Sequence, residues 1–420
     1  MSCLSSHIPL RANGINDDVV GLGTRAGNRC VRRSIQSLVT ANGKELSVTW
    51  PDGAQNTYSA VWLRHNCECS ACKQPHSGQK VVDAGEVTQN LHISSDGASD
   101  GLVKLKWRYV NGLQHSGFIS TQQLRESVYT EPQDPPVATA LPHITHGELY
   151  TESRHGLWSF LKYLNDYGMC LVTGVPAREQ EVKKFTESIF EHVQTTIYGQ
   201  VFDVVSTPIP INIAYTPVKL DLHMDLAYYE SPPGLQLLHC LKFDDCVTGG
   251  ESVLLDSLPV LEELKRKYPT YFDTLVSIPA TFQKIHYERQ NPTHMVYRRP
   301  HITVNRHRKV IGFFWAPVFE GPLVASKEDV DQYYKAYSCL SELFQNSTLK
   351  IQHRLTVGEL LVFNNRRVLH GRNAFTLNGG IRHLQGAYVN IDEFKSTFEF
   401  LSRQLKLDGG VRNVFNQSFS

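Results

Sequence analysis

Leu222-His223-Met224-Asp225, taken as part of a β-strand, sends His223 and Asp225 to one face, because side chains two residues apart in a strand point the same way. One ion can then touch both. Strand-like apolar runs follow at Leu235–Cys240, Ser252–Leu255, Leu360–Phe363 and Leu384–Ile391. Around them the spacing turns helical: Leu157, Phe160, Leu161 and Leu164 lead up to Gly168, and Val182, Phe185, Ile189 and Val193 repeat the pattern. A longer helix is expected through Val330, Tyr333, Tyr334, Tyr337 and Phe344, with Ser326 as N-cap and Asp329 three residues on. Strands dominate the middle and end, helices flank them, and the strand–helix alternation of a parallel sheet is missing. The expected fold is mainly β with flanking helices: an antiparallel jelly roll (double-stranded β-helix) or barrel with helical buttresses.

Upstream, Leu46, Val48 and Trp50 alternate with polar residues before Pro51-Asp52-Gly53. Val103, Leu105 and Trp107 do so before Asn111-Gly112, a hairpin signal. Residues 36–127 therefore read as a small strand-rich domain. Glu131-Pro132-Gln133-Asp134-Pro135-Pro136 and Pro142 mark a linker over 128–143, since such proline density continues neither a helix nor an inner strand. The main domain is expected over 144–410. Residues 1–35 hold Arg11, Arg25, Arg29, Arg32 and Arg33, as a mitochondrial presequence would; Asp17 and Asp18 count against that, and a flexible tail fits better.

Composition narrows the function. With 42 Lys+Arg against 41 Asp+Glu, the net charge is +1, which argues against a nucleic-acid surface. No apolar run reaches the roughly 18 residues of a membrane span. Of nine cysteines, Cys67, Cys69 and Cys72 crowd together, a spacing that suits thiolates on one metal better than disulfides. A reducing, cytoplasmic setting follows, with a mitochondrial one as the alternative.

A distant histidine would complete a two-histidine, one-carboxylate triad, which leaves one side of Fe(II) open to a chelating co-substrate and O2. His370, in Val368-Leu369-His370-Gly371-Arg372, is the candidate. A His-x-Asp alone is more often a surface or structural pair, so the surrounding constellation matters. Arg382, 12 residues beyond His370, can return on the neighbouring strand and offer a planar fork of donors to a carboxylate. Thr248, 23 residues after Asp225, can add a hydroxyl.

These features resemble the taurine-dioxygenase superfamily of 2-oxoglutarate oxygenases, and within it the γ-butyrobetaine dioxygenase family. The stretches that carry the likeness include Ala60-Val61-Trp62-Leu63-Arg64, Asn212-Ile213-Ala214-Tyr215-Thr216, residues 232–240, Leu369-His370-Gly371-Arg372 and residues 382–388. The resemblance covers about residues 40–405. It implies Fe(II) on His223, Asp225 and His370 and 2-oxoglutarate on Arg382 and Thr248. It implies a structural Zn(II) on Cys67, Cys69, Cys72 and His115, ahead of His65 or His76. It further implies supportive ascorbate, a homodimer, and a small quaternary-ammonium substrate hydroxylated with O2. The family's aromatic cage for the trimethylammonium group falls on Tyr198, Phe202, Tyr215 and Tyr388, with phenylalanine at 202 where the family has tryptophan; aromatic faces attract a cation that has no hydrogen-bond donor. Asn212 matches a carboxylate-binding residue. Two other polar positions are lost, one to Leu226 and one to Phe313-Phe314-Trp315; hydroxylation of γ-butyrobetaine to carnitine is the expected reaction, weaker than in a relative with the full set, and a quaternary amine with another tail is the alternative. Trimethyllysine dioxygenase, a hydroxylase of another quaternary amine, and an inactive zinc-held interaction module are the rival readings.

Overall fold

The computed structural model describes residues 35–83, 85, 87, 90–128, 134–206, 213–407, 410–412 and 414–415. The expected N-terminal tail, apart from Ile35, and residues 129–133 of the expected linker lie outside them. The chain divides into two compact units, Met1–Thr130 and Glu131–Ser420. Residues 134–143, expected in the linker, pack with the second unit: Ala138 is buried, and the Pro142 carbonyl accepts the Leu171 amide.

In the first unit, apolar alternation builds two small antiparallel sheets. Leu46 and Val48 are fully buried on Glu45–Thr49, which pairs with Ser37–Ala41 and Gln55–Ser59. Val103, Leu105 and Trp107 do the same for Leu102–Tyr109, between Leu91–Ser99 and Gln114–Ser120. Asn111-Gly112 makes the turn, with Gly112 at φ +85°, where a side chain would be strained. The Ser59 hydroxyl accepts the Trp62 amide and caps the short helix Ala60–His65.

The second unit has two main β layers. One sheet orders His143–Thr145, Met169–Thr173, Leu360–Asn364, Leu235–Phe243, Arg382–Val389 and Val201–Val205; only its first pair is parallel. The other orders Leu220–His223, Val368–Arg372, Ser252–Asp256 and Ile351–His353. This is a jelly roll. Alternation assigns the faces: Leu235 and Leu237 join the core under the helices His155–Tyr167, Glu181–Phe190 and Ile391–Leu405, while Gln236 and Leu238 face an internal cavity. Each fully buried leucine contributes roughly 1.5–3 kcal/mol. Three more helices, Ser257–Lys267, Pro269–Ser277 and Lys327–Asn346, share a second core with the hairpin Pro279–His286 and Thr293–Pro300. The Ser326 hydroxyl caps the last of these helices.

Some boundaries differ from expectation. The strand expected to reach Ile391 ends at Val389, because Asn390 occupies an N-cap position and Ile391 starts a helix. The helix expected to reach Val193 stops at Phe190, where Glu191 takes a positive φ.

Candidate active site

His223 closes the strand Leu220–His223 and is the register partner of His370 on Val368–Arg372. Directly opposite residues of an antiparallel pair share a face, and the two imidazoles lie 4.3 Å apart, centroid to centroid. Asp225 arrives differently from expectation. The strand ends at His223, and Asp225 lies in the turn beyond it, next to Leu226 at φ +60°. The turn is held from outside. The Met224 amide donates to the Trp315 carbonyl, and the Asn365 side chain grips Asp225 at both backbone poles, accepting its amide at 2.8 Å and donating to its carbonyl at 3.0 Å. Asn365 went unforeseen, since a side-chain clamp on a turn leaves no periodic trace in sequence.

Nδ1 of His223 donates to the Asp221 carbonyl at 2.7 Å, which leaves Nε2 free to ligate. That Nε2 is 3.5 Å from Oδ1 of Asp225, and Nε2 of His370 is 3.7 Å from Oδ2. The three donor groups lie within 4.8 Å of one another. The Tyr388 hydroxyl donates to Oδ2 at 2.7 Å, leaving Oδ1 for an ion. Burial, with the His223 charge adding to it, holds His370 down at about 3, so its ring is a neutral ligand at ordinary pH. Burial alone would raise the Asp225 carboxyl, but the His223 hydrogen bond and charge, with the Tyr388 hydrogen bond, hold it well below the usual carboxylate range. The donor set fits Fe(II).

Arg382 opens the strand Arg382–Val389 in the six-stranded sheet, so it reaches the cavity from the facing layer and not from the neighbour of the His370 strand. Its guanidinium is buried over Phe243 and Phe375; Nη2 makes one 3.5 Å bond to the Gly250 carbonyl and Nε has no partner. Burial lowers it to about 10, so it stays charged near neutrality, buried and with no carboxylate partner among the described residues, an arrangement completed by an anion. Arg372 also lines the cavity, but its terminal nitrogens are engaged by the carbonyls of Ala214, Thr216 and Val218. Thr248 does not reach: it is exposed, outside the cavity, with its hydroxyl 3.5 Å from Asn378 Nδ2. Ser252, four residues on, is buried and brings a hydroxyl to the cavity lining, where Thr248 was expected to bring one.

Tyr198, Phe202, Tyr215 and Tyr388 line the same cavity, of about 230 Å³, as His223, Asp225 and His370. Phe202 stacks on Tyr388 with centroids 5.0 Å apart. Gly386 makes this possible, because a Cβ there would sit 2.2 Å from Phe202 Cζ. Buried Tyr228, which the motifs did not point to, is a further aromatic in the wall. Asn212 lies outside the described residues. Leu226 faces the cavity as expected, whereas Phe313-Phe314-Trp315 does not. Those rings pack into the core, Trp315 stacking on Tyr337 at 4.5 Å, and the wall is formed instead by Pro317, Val318 and Phe319.

In the first unit, His115 Nε2 lies 3.4, 3.6 and 3.4 Å from the sulfurs of Cys67, Cys69 and Cys72. A tetrahedral zinc with ordinary Zn–S and Zn–N bonds separates S and N by about 3.6 Å. Gly117 leaves the space, since a Cβ there would sit 2.3 Å from the Cys67 sulfur. Arg64 donates to the Cys72 sulfur at 3.2 Å. These four donors form the cluster, and His65 and His76 are not among them. The donor set fits zinc.

Residues 137–388 match the taurine catabolism dioxygenase TauD, TfdA family, and residues 38–118 match the N-terminal region of gamma-butyrobetaine hydroxylase-like proteins. The chain belongs to the TauD, TfdA family and is a 2-oxoglutarate-dependent dioxygenase. Among its relatives, a gamma-butyrobetaine dioxygenase of Pseudomonas sp. (strain AK-1) is 30% identical over 369 residues, covering 85% of this chain and 94% of its own. Dioxygenase str8 of Strobilurus tenacellus is 26% identical, covering 88% and 90%. A mitochondrial trimethyllysine dioxygenase of Bos taurus is 27% identical, covering 83% of each. No helix among the described residues is long and apolar enough to cross a membrane.

Proposed function

We propose that this enzyme hydroxylates a trimethylammonium compound, γ-butyrobetaine first among them, at an Fe(II) held by His223, Asp225 and His370. The observation that carries this reading is the shared cavity, which Tyr198, Phe202, Tyr215 and Tyr388 line together with the three metal-binding groups. Bound Fe(II) and 2-oxoglutarate supply the oxidising chemistry, in which O2 is consumed, the oxo acid leaves as succinate and CO2, and one oxygen atom enters the substrate as a hydroxyl.

The chain's own residues do the rest. Arg382 and Ser252 receive the remote carboxylate of 2-oxoglutarate. Tyr198, Phe202, Tyr215 and Tyr388 hold the quaternary nitrogen by cation–π attraction, worth about 0.5–2 kcal/mol for each well-placed ring. Arg372 fixes the loop that carries Tyr215. Leu226, Val318 and Phe319 form an apolar wall around the substrate chain. Cys67, Cys69, Cys72 and His115 hold a structural zinc. Ascorbate support and a homodimer complete the proposal on family resemblance, and the crowded thiols favour a reducing, cytoplasmic setting.

Succinate release tests it, with γ-butyrobetaine, trimethyllysine and a primary-amine analogue assayed side by side. γ-Butyrobetaine should stimulate turnover, though less than in a relative that has tyrosine in place of Leu226. His223→Ala, Asp225→Ala and His370→Ala should each abolish turnover. Preference for the primary amine would refute the cage, and robust turnover by any triad variant would refute the iron site.

A further inference from the structure

Tyr228 follows the metal-binding Asp225 in the loop between the strands Leu220–His223 and Leu235–Phe243. The loop is held in place. The Tyr229 amide donates to the Leu226 carbonyl at 2.9 Å, and buried Arg299 donates to the carbonyls of Tyr229 and Glu230 at 2.8 Å each. The Tyr228 ring packs edge-on against Phe319, with centroids 5.2 Å apart, and lines the cavity while only 2% exposed.

Its hydroxyl differs from those of the other buried tyrosines. Among the described residues there are four: Tyr58, Tyr228, Tyr333 and Tyr388. The hydroxyls of Tyr58, Tyr333 and Tyr388 bond to the Leu124 carbonyl, to His301 and to Asp225. That of Tyr228 is buried with no partner among the described residues. Tyr198 stands close by with its own hydroxyl, but the pair does not meet hydrogen-bond geometry. Burial pushes the Tyr228 hydroxyl far above the ordinary tyrosine value, so it keeps its proton and is a neutral donor. A buried donor left unpaired is unfavourable.

The surroundings of this hydroxyl select its partner. Tyr228 neighbours Tyr198, Tyr229 and Phe319, whereas Arg382 neighbours Phe243, Phe375 and Gly250, so the hydroxyl belongs to the amine's side of the cavity. A trimethylammonium group has no lone pair to accept the proton. A carboxylate at the far end of the same molecule has. The other lining groups leave that carboxylate little else: Leu226, Pro317, Val318 and Phe319 are apolar, Arg372 is engaged, and Lys219 pairs with Asp221 at 2.6 Å.

We propose that Tyr228 donates its hydroxyl proton to a carboxylate on the tail of the amine substrate, which makes the enzyme selective for zwitterionic over purely cationic quaternary amines. Tyr228 is then a specificity-determining residue, and the inference rests on the quaternary-amine reading above.

The test compares γ-butyrobetaine with butyltrimethylammonium, which has a methyl group in place of the carboxylate, by succinate release at saturating 2-oxoglutarate. Wild type should prefer γ-butyrobetaine. Tyr228→Phe should raise its KM by about 10- to 100-fold, as expected for one hydrogen bond to a charged group. The KM values for butyltrimethylammonium and for 2-oxoglutarate should stay within about twofold. Because the hydroxyl has no protein partner, ligand-free Tyr228→Phe should unfold at the wild-type temperature; a marked fall would show that the hydroxyl serves the fold and would overturn the assignment. An equal change for both amines, no change for either, or a wild-type preference for butyltrimethylammonium would also overturn it and leave the quaternary-amine reading standing. Wild-type turnover with neither amine would overturn both.

Discussion

Replacing Asn365 by alanine should loosen the metal centre without touching a metal-binding group. The substitution removes three hydrogen bonds: from the Asp225 amide at 2.8 Å, to the Asp225 carbonyl at 3.0 Å and to the Pro233 carbonyl at 3.3 Å. At about 1 kcal/mol each, the total is about 3 kcal/mol. Part of that loss should fall on folding and part on metal affinity, because Asp225 lies in a turn otherwise tied from outside by the Met224–Trp315 hydrogen bond and by the Tyr388 hydroxyl on its carboxylate. Outer-shell changes of this kind typically lower metal affinity 10- to 100-fold, or about 1.4–2.8 kcal/mol. Anaerobic titration of metal-free protein with Fe(II) or Mn(II) measures the second part, and thermal unfolding with and without metal measures the first. Asn365→Asp keeps the acceptor for the amide but sets a buried carboxylate against the Asp225 and Pro233 carbonyls, so it should be at least as damaging as alanine. If Asn365→Ala lowers the melting temperature equally with and without metal, and affinity stays within about twofold, the clamp serves the fold alone and the reasoning fails.

Arg382→Ala should raise the KM for 2-oxoglutarate by roughly 10- to 100-fold, the contribution of a charge-assisted carboxylate contact; Ser252→Ala should raise it less and Thr248→Ala not at all, and an effect at Thr248 would contradict its exposed position. Gly117→Ala should lower zinc content, measured by metal analysis, because the added methyl would meet the Cys67 sulfur; full retention would remove the site's steric rationale. Burial pushes the Glu320 carboxyl up to about 7, against the Tyr337 hydrogen bond. A folded-state pKa above the unfolded 4.5 means that stability is fully present below pH 4.5 and lost as pH rises through 7. Glu320→Gln should therefore flatten the fall in melting temperature between pH 5 and pH 8, and an unchanged slope would refute the assignment.

Much of the fold was legible because it is written in periods. Leu46, Val48 and Trp50 announced a buried strand face, and Leu157, Phe160, Leu161 and Leu164 a buried helix face. The histidine pair was legible by motif, since each histidine sits on a regular strand. What escaped follows from geometry that spacing does not encode. Asp225 lies past a strand end, so the two-residue rule gave the right partners by the wrong route. Thr248 and Ser252 are four residues apart, and only the sheet pairing tells which hydroxyl turns inward. The Phe313–Trp315 run reads as a cavity wall or as core with equal ease, and the helix Lys327–Asn346 claims it for core. Tyr228 and Asn365 are single polar residues in loop settings, and their roles emerge only from what they do or do not touch.

The Arg372 guanidinium ties the Tyr215 loop to the strand that bears His370, two residues away. Occupancy of the aromatic pocket and occupancy of the metal centre therefore bear on one shared mechanical element. Thermodynamic reciprocity then requires that whatever factor the ion adds to amine affinity, the amine adds to ion affinity. The sign of that factor is read by titrating the metal with and without a quaternary amine, and a factor of one would show that the Arg372 tie transmits nothing.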